Sequence, residues 1–429
     1  MNVSTTQIMP DVTLTCLNTD KFKTGCLSFN LITPLCREDA AKNALIPNVL
    51  CRGTRSLPDM ASISAKLDSL YGARIEPYVR KKGEIQLVGF YADFADDAFL
   101  PEKSGLMEQI ASLMGEMLLF PNTHGGLLRR EYVESERDQL LDRIRGIIND
   151  KRAYSVRRLV EQMCSMEEYA VPRLGFESDV SGITAQALTK HYHKLLADSP
   201  LHIFYCGTAD EKRVTEALVD ALNGLPRSGD IPDLGTDIRM NSLEETPRFF
   251  KDELNVTQGK LAVGFRLGEC MDDPDPAAIK VFNAVYGGCV TSKLFMNVRE
   301  KLSLCYFANS MVDLHKGIMI VSSGIEFDKY DAALSEIMAQ LEAVKRGEIT
   351  AEELSAAKKA LSGAYRSISD SAPSLEEYWL NALLIGPDCP PEEFASLIDE
   401  ITVDEVVKIA KGVECDAIYF LSGNEEDEE

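Results

Sequence analysis

The feature that most constrains this chain is a repeat in its order of elements. Apolar periodicity along the 429 residues reads as strands, helices, a long helix pair, a strand and a helix, and then the same order again. Between the two runs lies Leu225 to Pro247, a polar stretch holding Pro226, Gly229, Pro232, Gly235 and Pro247. It reads as a linker. A chain of this length exceeds one ordinary core and suits two domains of about 200 residues. The expected fold is α+β, two copies of one unit, with domains at 1–228 and 248–429 and a linker at 229–247.

Local signals fill in the pattern. Leu27-Ser28-Phe29-Asn30-Leu31-Ile32 alternates as a strand, and Arg37 to Leu50 is helical despite Pro47. Asp59 opens a helix that Gly72 closes. Long helices are expected at Leu127–Asn149, Arg152–Tyr169, Lys329–Arg346 and Thr350–Ser369. Strands are expected at His202–Gly207, Lys260–Leu267, Gly317–Gly324 and Ala417–Leu421.

Charge and composition narrow the function classes. A net charge of −23 argues against nucleic acid and anionic membrane as partners and leaves room for a basic one. The tail Glu425–Glu429 reads as a solvated end. No apolar run reaches the length of a membrane-spanning helix, and Met1 to Asp11 lacks the basic start and apolar centre of a signal peptide. The eleven cysteines are scattered and odd in number, with no Cys-x-x-Cys, as expected for reduced thiols in a cytoplasmic protein. Neither a phosphate-binding Gly-rich loop nor a Gly-x-Ser-x-Gly nucleophile turn occurs.

Residues 287 to 306 carry the candidate binding chemistry. Gly287-Gly288 interrupts a helical pattern that runs from Ala277 to Tyr286. A short amphipathic segment follows, with Leu294, Phe295 and Val298 on one side and Lys293, Arg299 and Lys301 expected to face solvent. A strand is expected from about Leu304. Arg299 and Tyr306 then stand at the two ends of a helix-to-strand turn. A planar guanidinium fork and a rigid phenol together suit a peptide carbonyl or an oxyanion. On pattern alone, an exposed Arg and a half-buried strand Tyr are the simpler account.

The wording Ser292-Lys293-Leu294-Phe295, Arg299-Glu300-Lys301, Leu304-Cys305-Tyr306 resembles the C-terminal-domain signature of the pitrilysin/insulinase family of zinc metallopeptidases, the inverzincins. The resemblance implies two homologous domains, each a mostly antiparallel sheet packed with helices, as in mitochondrial processing peptidase. It also implies that Arg299 and Tyr306 help hold substrate against a zinc site on another domain. Active members carry His-x-x-Glu-His on a helix of the first domain, shortly before a Gly-Thr pair. The two His residues bind zinc and the Glu is the general base. Anchored on Gly53-Thr54, the ligand positions here are Ala44 and Asn48, and the base position is Pro47. The family's third ligand, a Glu seven residues after another Glu on a long helix, falls at Arg143, with Glu136 matching the earlier acid. No donor set survives, and the first histidine in the chain is His124. The pair His191/His193 lies in a helical stretch and reads as solvated or capping.

The resemblance therefore implies a pseudo-peptidase with no cofactor of its own. Some bacterial members are heterodimers in which one chain supplies zinc and the other supplies the Arg/Tyr pair. A zinc-bearing homologous subunit and a peptide substrate are the expected partners. The alternative is a catalytically dead binding or scaffold protein of the same fold. Within the family, Val49 to Ala73 resembles the bacterial group associated with aminopentanol modification of elongation factor P.

Overall fold

The computed structural model describes residues 2–101 and 104–423, so the acidic tail lies outside the described residues. The chain forms two compact units. One runs through Arg145 and takes in Val171–Gly235 and Ser371–Asn381. The other holds Gly146–Ala170, Thr236–Asp370 and the described chain from Ala382 onward. Each half of the repeat thus lends a segment to the unit built mainly from the other half. The units therefore do not follow the order of the chain.

The first unit is built on strands β1 (Asn2–Met9), β2 (Val12–Asn18), β3 (Thr24–Pro34), β4 (Arg74–Lys82), β5 (Ile85–Ala95) and β8 (Leu201–Gly207). A small ribbon, β6 (Thr123–His124) and β7 (Leu127–Leu128), stands apart from them. The sheet order is β1-β2-β8-β3-β5-β4, antiparallel throughout except for β2 beside β8. Against one face pack α1 (Arg37–Leu50), α2 (Met60–Ser69), α3 (Leu106–Leu119) and α4 (Arg130–Gly146). Leu27, Phe29 and Leu31 of β3 meet Ala44, Leu45 and Ile110 in this core. Strand β1 carries a polar, half-exposed sequence with no apolar alternation, which hides it from a periodicity reading.

The second unit is built on β9 (Arg248–Leu254), β10 (Gly259–Arg266), β11 (Cys305–Asp313), β12 (Ile318–Ile325) and β13 (Glu414–Gly423), in the order β11-β12-β10-β13-β9. Again all neighbours are antiparallel except one, β13 beside β9. Strand for strand this is the order of β4, β5, β3, β8 and β2, with β1 as an added edge. The repeat seen in the sequence is therefore a repeat of topology.

Helix α5 (Lys151–Met163) covers one face of the second sheet and opens on Asp150, whose carboxylate accepts from the amides of Arg152 and Ala153 at 3.0 Å. Its Leu159 and Met163 pack with Ala262, Ile320 and Tyr419. A Cβ on Gly264 would come within 2.4 Å of Met163 Sδ, so β10 carries glycine where the helix presses on it. Helices on both faces leave β10 and β12 buried along their length, and both read as near-continuous apolar runs. Beyond α5, Glu167 pairs with Arg266 at 2.7 Å and Lys316 at 2.8 Å, and Arg266 and Arg248 both reach Asp416 at 2.8 Å. Burial pushes the Glu167 carboxyl up, but its bonds to Arg266 and Lys316 outweigh that and hold it below the usual range.

Besides β1, further features differ from the sequence reading. The helix expected over Ala277–Tyr286 stops at Asn283 and continues as a wide, π-type turn over Ala284–Gly288. Helix Pro391–Glu400 and edge strand β9 were not expected. His191 is buried and not solvated: its Nε2 lies 2.6 Å from Asn43 Oδ1, and Asn43 donates to Gln86 at 2.8 Å. Burial pushes that imidazole down to about 4, against the pull of Asp39.

Candidate functional site

The place where the family's zinc motif would fall lies on α1. Ala40, Ala41, Ala44, Leu45, Ile46, Val49 and Leu50 bury one broad stripe of this helix, so it forms without a metal. Pro47 sits inside it with no amide to donate toward Asn43, and the Cys51 amide closes the last turn on the Pro47 carbonyl at 3.1 Å. Ala44 is fully buried. Asn48 folds its side chain back and donates to the Ala44 carbonyl at 3.2 Å. Arg143 is exposed near the end of α4.

Between α1 and α4, an ion pair occupies the polar centre. Arg52 Nε donates to Glu136 Oε1 at 2.6 Å and Nη2 donates to Ser135 Oγ at 2.9 Å. The Glu136 side chain is 7% exposed, so its carboxylate needs this cation. The pair borders a cavity of about 510 Å³ that Asn48, Cys51, Met60, Ile63 and Met117 also line. Burial, helped by the charge of Glu136, pushes the Cys51 thiol up to about 12, so it carries no thiolate at neutral pH. An alanine, a proline, an amide already bonded to its own helix and an exposed guanidinium do not fit a zinc ion. Among the described residues, no cluster of three or more His, Cys, Asp or Glu could hold a metal. Sequence reasoning named Glu136 but missed Arg52. A signal was there: a buried acid requires a partner, and Arg52 stands beside the Gly53-Thr54 anchor.

The Arg/Tyr stretch belongs to the second unit. After Gly287-Gly288 the chain makes another wide turn over Leu294–Lys301, closed by the Leu302 amide on the Asn297 carbonyl at 3.1 Å. A Cβ on Gly287 would lie 2.6 Å from Ser310 Oγ and 2.9 Å from its amide, so only glycine lets this turn approach β11. Leu294 and Val298 are buried, as expected. Lys293 is not solvated: it is 6% exposed and forms two bonds, at 2.9 and 3.1 Å, to Glu353. The Arg299 guanidinium lies over the Phe295 ring at 4.6 Å, its Nε 3.6 Å from Glu300, with 40% of the side chain exposed. Ser303 takes a left-handed φ of 50°, and β11 begins at Cys305. Tyr306 is the extra residue of a β-bulge, between the pairs Cys305/Ile325 and Phe307/Gly324. The bulge leaves it 62% exposed on an edge strand. Arg299 and Tyr306 therefore flank one turn, Tyr306 exposed and Arg299 partly so.

The chain is similar to known proteins along its whole length. Residues 182–361 match the family model described as the peptidase M16 inactive domain. Over 411 residues the chain is 33% identical to the probable inactive metalloprotease YmfF of Bacillus subtilis (strain 168), covering 95% of each. The fold superposes on a conserved protein from Enterococcus faecalis V583 with a TM-score of 0.90 at 28% identity, covering 100% of both chains. A peptidase M16 inactive domain from Pseudomonas fluorescens shares the fold at a TM-score of 0.79 and 17% identity, covering 99% of both.

Proposed function

The chain belongs to the M16 peptidase family, the pitrilysin/insulinase type, among its inactive metalloprotease-like members, and from that premise we propose that it is the non-catalytic, substrate-binding subunit of a two-chain zinc peptidase. The carrying observation is one contrast within a single chain. The first unit offers Ala44, Pro47, Asn48 and Arg143 where metal chemistry would need donors, while the second keeps Arg299 and Tyr306 exposed around one turn. A zinc-bearing homologous subunit supplies the metal in this reading, and a peptide lies between its site and the Arg/Tyr pair. The guanidinium fork and the phenol then donate to the peptide carbonyl as negative charge develops on it. A cytoplasmic setting belongs to the same proposal, and the eleven free cysteines support it.

The test uses the purified chain with and without a zinc-bearing homologue. Alone it is expected to bind no stoichiometric zinc and to cleave no peptide. In the complex, Arg299→Ala and Tyr306→Phe should each lower turnover about a hundredfold, from the roughly 3 kcal/mol such donors supply, with complex mass unchanged. Full activity in both variants would favour the scaffold reading. Chelator-sensitive hydrolysis by the isolated chain would defeat both readings.

A further inference from the structure

The segment Ser371–Asn381 belongs to the first unit although it lies in the second half of the chain. It is the first part of a helix, Ala372–Ile385, that buries Ala372, Leu375, Tyr378 and Leu380, and it meets β4 through charge. Arg80 Nη1 donates to Glu376 Oε2 at 2.7 Å and to Glu377 Oε2 at 3.1 Å, and Lys82 donates to Glu377 Oε1. Arg80 also lies over the Tyr78 ring at 4.2 Å. Three polar atoms of the segment are buried without a hydrogen-bond partner among the described residues: Glu376 Oε1, Trp379 Nε1 and Asn381 Oδ1. Glu376 itself is 1% exposed.

The sheet surface below is unlike a core. On β3, Leu27, Phe29 and Leu31 face the apolar interior, while the alternate residues are Cys26, Ser28 and Asn30. Asn30 donates to Ser28 at 3.1 Å and accepts from the Tyr78 hydroxyl at 2.5 Å. A sheet face furnished this way tolerates water. A cover that leaves three of its own polar atoms unpaired is held less firmly than one packed to satisfaction.

We propose that Ser371–Asn381 is a displaceable strap and that its Glu376–Glu377 pair is an internal stand-in for an acidic peptide. Arg80 and Lys82 stand two residues apart on one strand, hence on one face, and together meet two consecutive carboxylates. When the strap leaves, those cations lose their partners and accept an acidic segment from another chain. Tethering gives the strap a high effective concentration, and the chain's net charge of −23 opposes free acidic ligands, so the covered state is the resting one. This inference goes beyond the peptidase-subunit reading and uses residues of the first unit alone.

The test uses the full chain, fluorescein-labelled octaglutamate and an octaglutamine control. In Glu376→Gln/Glu377→Gln, octaglutamate should bind at least tenfold more tightly than to the wild type, with amides of 371–381 exchanging about tenfold faster. Adding Arg80→Gln and Lys82→Gln should abolish the gain. The proposal is overturned if the folded variant binds octaglutamate no better than the wild type, if octaglutamine gains equally, or if binding survives loss of the two cations. Should the variant fail to fold, saturating octaglutamate on the wild type must speed exchange in 371–381, and unchanged exchange there overturns the proposal.

Discussion

Arg52 sets its guanidinium against Glu136 at the polar centre of the first unit, and the two act as one group. Arg52→Ala leaves a buried carboxylate without its cation, at a cost of about 3 kcal/mol. Arg52→Met with Glu136→Leu removes both charges and should restore most of that loss. Urea denaturation of the three proteins checks this, and equal losses in single and double variants would refute the pairing. A second effect belongs to histidines. Burial takes His191 and His202 down to about 4 from an ordinary 6.5. Asp39 faces His191 favourably, Lys42 and Lys194 unfavourably, and His202 faces Thr15 at 3.0 Å. Both rings are neutral when folded and bind protons more readily when unfolded. Their contribution is complete above about 6.5 and drains as pH falls toward about 4. By pH 5.5 each should have lost roughly 1.4 kcal/mol. Melting temperature should fall between pH 7 and 5.5, and His191→Gln/His202→Gln should flatten that slope.

At the scale of elements, α5 shows how one residue sets a docking distance. Gly264 gives β10 no side chain under Met163. Gly264→Val forces the helix outward and should lower stability by about 2–3 kcal/mol, with faster amide exchange in 151–163. Unchanged exchange there would mean that Met163 simply yields. Many elements were legible from periodicity, because β3, β10, β12 and the long helices bury continuous stripes. Strands β1 and β9 were not, because edge strands half in solvent need no apolar run. The wide turns after Asn283 were also hidden: their glycines announce a break but not its geometry.

At the scale of the molecule, the exchanged segments bind the two halves into one folding problem. A fragment ending at 228 keeps α5 but not the sheet it covers, and lacks Ser371–Asn381. Leu159 and Met163 would then face water. Neither that fragment nor residues 248–429 should melt cooperatively alone, whereas the two co-expressed should purify together in equal amounts. A monodisperse, cooperatively melting fragment 1–228 would contradict this.

By itself the sequence determined the α+β class and the internal repeat, and its resemblance to a family implied the loss of a zinc donor set. The first two follow from apolar period, which sets the elements, whereas the reading of Ala44, Pro47, Asn48 and Arg143 as replaced zinc-ligand and base positions is what the resemblance implies. The Arg/Tyr signature was legible too, as wording. Only the tertiary structure decided the rest. It chose Arg52 as the cation for Glu136, buried Lys293 on Glu353, set Tyr306 on a bulge and assigned α5 and Ser371–Asn381 to units far from them in sequence. These are pairings between residues separated by tens to hundreds of positions, and no local propensity specifies which distant charge or face will meet which.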